Sequence, residues 1–118
     1  ESMAFQSRDV IDAMSAATGI SLRALRVDGG ASGNDRLMQM QADQLGIPVE
    51  RPVDRETTAL GAAFLAGLAE GVWPDLEAVV ASRAVDRIFA PNTELKPFAD
   101  IAHQQWLDAV ARVTSTRR

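Results

Sequence analysis

The chain has 118 residues, 47% of them apolar and 24% charged, which is enough for one compact domain and too few for two. The formal net charge is −4 and no segment carries a basic stripe, which argues against nucleic acid and anionic membranes as partners. The absence of cysteine excludes disulfides and thiolate metal sites and fits a cytoplasmic protein. No apolar run is long enough for a membrane span, and we expect Arg117 and Arg118 to form a solvated tail.

The first predicted element is an amphipathic helix over residues 2–17. Met3, Val10 and Met14 recur on one face of this helix, and Gly19 is suited to the left-handed position that follows a helix. Because helical periodicity begins with the first residues, we expect the chain to be part of something longer.

A short strand follows within residues 22–27 and ends at two glycines. Residues 28–34 (Asp-Gly-Gly-Ala-Ser-Gly-Asn), here called the glycine turn, then lead into a second helix over residues 35–45. The residues predicted to form the buried face of that helix are Leu37, Met38, Met40, Gln41 and Leu45.

Four further elements are predicted after residue 46. A very short strand within residues 47–52 is framed by prolines, and Thr57 or Thr58 caps a third helix over residues 59–70. That helix has mostly small side chains, so we expect it to be buried against the strands. Asp75 caps a short helix through Val80, residues 85–89 are ambiguous and could be extended, and a last helix begins at Thr93 or Pro97 and ends at Val113.

The element order helix–strand–helix–strand–helix predicts an α/β fold. A right-handed crossover makes the first two strands parallel. Two parallel strands are too few for a normal covered sheet, so the sheet is expected to be incomplete. The strand within residues 22–27 would then have an unpaired edge, which invites pairing with another copy and predicts a homo-oligomer.

The glycine turn is the strongest candidate for a functional site. It lies at the carboxyl end of a strand, where α/β proteins bind ligands, and it opens a helix whose free N–H groups suit a phosphate. Asn34 carries both a donor and an acceptor that could bind the polar edge of a base. The turn matches neither the P-loop nor the GxGxxG pattern, so on the residues alone a purely structural turn stays open.

Several segments resemble the FGGY family of carbohydrate kinases, and its glycerol kinase subfamily in particular. They are residues 25–32 (Leu-Arg-Val-Asp-Gly-Gly-Ala-Ser), residues 49–52 (Val-Glu-Arg-Pro) and residues 56–69 (Glu-Thr-Thr-Ala-Leu-Gly-Ala-Ala-Phe-Leu-Ala-Gly-Leu-Ala). The similarity runs from residue 1 to about residue 73 and continues more weakly to the end. Matched segments in the same order are far more specific than one glycine-rich turn.

The resemblance implies that residues 1–118 are the C-terminal portion of a ribonuclease-H-like (actin-like ATPase) nucleotide-binding domain. It implies that Gly29 shapes the turn, that the backbone of Gly30 lies against ATP or ADP, and that Asn34 contacts the adenosine part. The catalytic base, the glycerol site and most Mg²⁺ contacts would lie upstream, so no catalytic or metal-binding residue is expected here and the segment alone would be inactive. Asp35 departs from the family pattern and could cap the second helix, but it adds negative charge near a phosphate site.

Two other functions stay open at this stage. One is the same segment of another FGGY kinase, such as a xylulokinase-like pentulose or polyol kinase. The other is a non-catalytic interaction module or remnant without nucleotide affinity.

Other notable residues have plainer interpretations. The alternating charges of residues 50–56 predict a solvated face, although Arg51 or Arg55 could contact a partner domain. We expect the Asp28 carboxylate to accept N–H groups of the glycine turn. His103 is expected on the surface or half-buried, and the two tryptophans in helix packing.

Overall fold

The computed structural model describes residues 1–115, so the predicted tail of Arg117 and Arg118 lies outside the described residues. The elements in chain order are α1 (Ser2–Thr18), β1 (Leu25–Arg26), a 3₁₀ turn (Gly30–Gly33), α2 (Asp35–Leu45), β2 (Val49–Pro52), α3 (Thr57–Ala69), α4 (Leu76–Ala81), β3 (Val85–Phe89), a second 3₁₀ turn (Thr93–Leu95) and α5 (Lys96–Ser115). Within residues 1–115, no helix combines the length and the apolar character needed to cross a bilayer.

The three strands form one small sheet in the order β1–β2–β3. β1 and β2 are parallel, with Leu25 opposite Val49, which confirms the predicted parallel pairing. The ambiguous residues 85–89 form β3, which is antiparallel to β2 and pairs Phe89 with Val49. β1 has only two residues, fewer than predicted, and it lies at the edge of the sheet as expected.

Helix α2 covers one face of this sheet and supplies half of the core. Its predicted bounds, residues 35–45, are confirmed. The buried cluster consists of Met38, Ala42, Val49 and Phe89. The predicted buried face is only partly right, because Leu37, Met40 and Leu45 are partly exposed whereas Ala42 and Gln44 are buried. Gln44 tolerates burial because its side-chain amide donates to the Ala99 carbonyl oxygen of α5 at 3.2 Å.

Helix α3 does not pack against the strands, contrary to the prediction. Gly67 is its one buried residue, and the bulky Leu60 and Phe64 are only partly covered. A cavity of about 690 Å³ separates the helix from the sheet, with Val27 and Pro52 on the sheet side. The expected threonine cap is also wrong: Glu56 precedes the helix without a side-chain cap, and α3 begins at Thr57 itself.

Helices α1 and α5 are joined by one polar cluster. The Asp9 carboxylate lies 2.6 Å from His103 Nε2 through one oxygen and accepts the indole N–H of Trp106 at 2.8 Å through the other. Phe5 stacks on Trp106, with ring centroids 5.7 Å apart. His103 is only 6% exposed, so the expectation of a surface or half-buried histidine is wrong. Burial acts to raise the pKa of Asp9, but the hydrogen bonds from Trp106 and His103 outweigh it and leave that pKa below its usual value.

Candidate functional site

The glycine turn begins with a backbone conformation that only glycine adopts readily. Gly29 has φ 77° and ψ 176°, a region in which any side chain would collide with the backbone. Its N–H donates to the Arg55 carbonyl oxygen at 3.0 Å, and its own carbonyl oxygen accepts the N–H of Ser32 at 3.1 Å. The Ser32 hydroxyl donates to the same oxygen at 2.6 Å. The turn is therefore fastened at its first residue both to the chain after β2 and to itself.

Gly30 opens the 3₁₀ turn and is exposed. A side chain built on Gly30 would meet no atom within 4 Å, so open space lies against its backbone. Beyond any bond inside the turn itself, the N–H groups of Gly30 and Ala31 find no acceptor among residues 1–115. Free N–H groups at the start of a helical turn are suited to bind an anion or a polar ligand.

Asn34 ends the turn and caps α2. Its Oδ1 accepts the N–H of Leu37 at 3.1 Å, from an extended backbone conformation. The expectation that Asp35 could cap the helix is therefore wrong, because Asp35 is already the first helical residue. Asn34 is exposed, and its Nδ2 group makes no hydrogen bond within residues 1–115. The cap thus uses the acceptor of this side chain and leaves the donor for a ligand.

Two arginines neutralise the negative charge that Asp35 brings to the site. Arg51 and Arg87 each place a guanidinium nitrogen 2.7 Å from one of its carboxylate oxygens. The hydrogen bond from Arg51 is the main reason that the pKa of Asp35 lies below its usual value, so the carboxylate stays charged and paired. Asp35 is consequently part of an ion-pair cluster rather than an isolated repulsive charge.

The prediction that residues 50–56 face water is wrong for Arg51, which is 9% exposed. Its guanidinium lies over the ring of Phe89, 5.2 Å from the centroid, and its Nε and Nη1 groups donate to three acceptors. One of these is the Ser32 carbonyl oxygen inside the glycine turn, at 3.0 Å. Arg55 does remain exposed, and its guanidinium lies directly against Gly33. The sequence around β2 does not indicate that Arg51 is buried, because its acceptors belong to other elements of the structure.

The expectation for Asp28 is wrong, because its carboxylate accepts no backbone N–H from residues 29–34. It accepts the hydroxyl of Thr57 at the start of α3 instead. Asp28 and Thr57 line the 690 Å³ cavity together with Trp73, whereas Gly29, Gly30 and Asn34 lie outside it. Among residues 1–115, no group of three or more His, Asp or Glu side chains could hold a metal ion. The free N–H groups and the Asn34 amide donor are suited to bind a polar ligand.

Comparisons with known proteins identify the family of the chain. The model of the FGGY family of carbohydrate kinases, C-terminal domain, matches residues 1–70. Over 112 residues the chain is 54% identical to glycerol kinases of Carboxydothermus hydrogenoformans and Photorhabdus laumondii, covering 95% of this chain and 22% of each relative. It therefore spans about a fifth of the length of the curated relatives it matches.

Solved structures give the same result. The fold superposes on Plasmodium falciparum glycerol kinase with ADP at a TM-score of 0.78 and 34% identity, covering 93% of this chain and 22% of that one. It superposes on a ligand-bound xylulose kinase from Lactobacillus acidophilus at 0.77 and 20% identity, covering 94% and 22%, which supports the fold alone. The chain belongs to the FGGY family of carbohydrate kinases, and the match to the C-terminal domain of that family covers residues 1–70.

Proposed function

We propose that residues 1–118 are the C-terminal, ATP-binding portion of a glycerol kinase. The complete enzyme would transfer the γ-phosphoryl group of ATP to a hydroxyl of glycerol, giving glycerol 3-phosphate and ADP. Relatives named glycerol kinase at 54% identity support this assignment, as does the likeness to a glycerol kinase whose structure was determined with ADP.

The observation that carries the nucleotide role is the glycine turn. Gly29 shapes it, Gly30 offers bare backbone beside open space, and Asn34 has an uncommitted amide donor. In this proposal the nucleotide lies across Gly30, and Nδ2 of Asn34 donates to the adenosine part. The free N–H groups suit an anion, and the Asp35 carboxylate at the start of α2 is held in an ion pair.

The remaining parts of the reaction are assigned to the rest of the kinase. Phosphoryl transfer needs a base for the attacking hydroxyl, Mg²⁺ and groups that hold the transferred phosphoryl, and the described residues do not supply that set. We propose that glycerol and Mg²⁺ are bound mainly by upstream residues, that the enzyme works in the cytoplasm, and that it forms a homo-oligomer. The segment alone would bind nucleotide at most weakly and would not catalyse.

The test is an ADP-release assay on the complete protein that carries this chain, with glycerol and D-xylulose as competing acceptors. We expect turnover with glycerol at a kcat/KM at least about a hundredfold above that with xylulose, since a misfitting acceptor leaves polar groups of the site unpaired. Equal or better turnover with xylulose would assign the segment to a pentulose kinase. If the complete protein did not bind ADP in calorimetry, the proposed nucleotide role of the glycine turn would be wrong.

A further inference from the structure

The glycine turn is hydrogen-bonded to the buried guanidinium of Arg51. Arg51 extends from β2 beneath the turn, and its Nη1 donates both to the Ser32 carbonyl oxygen at 3.0 Å and to Asp35 at 2.7 Å. Its Nε donates to Asp86 of β3 at 2.9 Å. Ser32 is itself only 1% exposed. A single planar guanidinium therefore ties the middle of the turn, the first residue of α2 and the neighbouring strand together.

The contact with Ser32 distinguishes Arg51 from the second arginine of the cluster. Arg87 pairs with the other oxygen of Asp35 and lies 4.7 Å from the centre of the Phe89 ring, but it makes no hydrogen bond to the glycine turn. Arg87 is also more exposed, at 55% of its side chain against 11% for Arg51. The two arginines thus share a carboxylate and an aromatic ring and differ in one bond to the backbone of the turn.

The hydrogen bond from Arg51 to Ser32 acts on the part of the chain that would bind a nucleotide. Ser32 lies two residues after Gly30 and two before Asn34, and fixing its carbonyl oxygen fixes the plane of the peptide that joins it to Gly33. Without this hydrogen bond, the turn keeps the hydrogen bonds that involve Gly29 and Asn34, but its glycines allow it further conformations, because glycine has the widest backbone freedom. A ligand would then have to order the turn when it binds, which weakens its affinity.

We propose that Arg51 is a positioning residue for the adenine nucleotide: it holds the glycine turn in its binding conformation through Ser32 and thereby sets the affinity for ATP. This inference rests on the proposed nucleotide role of the turn. Arg51 does not touch the nucleotide in this account, and its effect on the acceptor alcohol is nil. A lysine cannot replace it fully, because an ammonium group lacks the planar fork that reaches acceptors on three elements.

The experiment compares Arg51→Lys, Arg51→Met and the matched control Arg87→Met in the complete protein. Steady-state kinetics give KM for ATP and for glycerol separately, and hydrogen exchange followed by mass spectrometry reports on residues 29–34 with and without ADP. We expect Arg51→Met to raise KM for ATP about tenfold and Arg51→Lys about threefold, with KM for glycerol within about twofold of the parent. Exchange of the turn should accelerate in both Arg51 variants and stay unchanged in Arg87→Met.

The outcomes separate this inference from the proposed function. An Arg87→Met variant that raises KM for ATP as much as Arg51→Met would overturn the inference, since the effect would then belong to the ion-pair cluster. A folded Arg51→Lys variant with parental KM for ATP and parental exchange would also overturn it, even if Arg51→Met fails to fold. If the unsubstituted protein binds ADP but does not phosphorylate glycerol, only the glycerol assignment is wrong. Hydrogen exchange of residues 29–34 with and without ADP then still tests the role of Arg51. A parent that binds no ADP overturns both.

Discussion

Substitutions of Asn34 can separate the two roles that this side chain combines. Its Oδ1 caps α2 through the N–H of Leu37, while its Nδ2 is the proposed donor to the nucleotide. Asn34→Ser keeps a capping oxygen and removes the amide donor, whereas Asn34→Ala removes both. Because serine and asparagine are nearly equal as helix caps, the serine variant isolates the nucleotide contact.

The structure sets the size of each effect. The cap is one exposed hydrogen bond of 3.1 Å, so its loss in Asn34→Ala should cost about 1 kcal/mol of unfolding free energy. Because the complete protein has a longer cooperative unit than this chain, that corresponds to a fall in Tm of about 2 °C. Asn34→Ser should stay within about 1 °C of the parent. Loss of one neutral hydrogen bond to the nucleotide should raise KM for ATP about fivefold in both variants.

The assay pairs differential scanning calorimetry with steady-state kinetics at varied ATP. The expected pattern is a stability loss in the alanine variant alone and a raised KM for ATP in both. An Asn34→Ser variant with parental stability and parental KM for ATP would refute the assignment of Nδ2 to the nucleotide. A serine variant as unstable as the alanine variant would instead show that the cap depends on the amide geometry.

Two further predictions concern stability. The pKa of Asp9 is lowered in the folded state, so its carboxylate stabilises the fold above the ordinary value of 3.8, and this stabilisation is lost as the pH falls through the folded pKa. The urea midpoint of unfolding should therefore fall between pH 6 and about pH 3. The fall should be less steep in the Asp9→Asn variant. A methyl group on Gly67 would lie 2.2 Å from the Trp73 ring, so Gly67→Ala should destabilise by about 1–3 kcal/mol in urea unfolding. Gly61→Ala, on the same helix with nothing within 4 Å, should stabilise by roughly 0.5–1 kcal/mol, and equal effects at both positions would contradict the packing around Trp73.

Local signals in the sequence were sufficient for the helices and for several of their ends, although not for the start of α3. The bounds of α2, the left-handed Gly19 after α1 and the Asp75 cap of α4 were all predicted correctly, because each depends on residues within one or two turns. The glycine turn was also located correctly as a strand-to-helix connection. Its proposed roles for Gly30 and Asn34 stay predictions.

Features that depend on distant residues were not predictable in this way. Arg51 was expected in water because its neighbours in sequence alternate in charge, yet Asp86 and Phe89 from β3 create its buried site. His103 was expected near the surface because nothing near it in sequence indicates that Asp9 would approach it. The burial of α3 was overestimated because its small side chains suit close packing. No strand among residues 1–115 lies against them.

The contact between α1 and α5 has a consequence for how the chain acquires its structure during synthesis. Asp9 and His103 are 94 positions apart, so the carboxylate leaves the ribosome long before its partner is made. Until then the apolar side of the first helix, including Phe5, has no Trp106 to cover it. Translation must therefore pass position 106 before this pair of helices can close, and a premature stop upstream of position 103 would leave α1 without its contacts to α5.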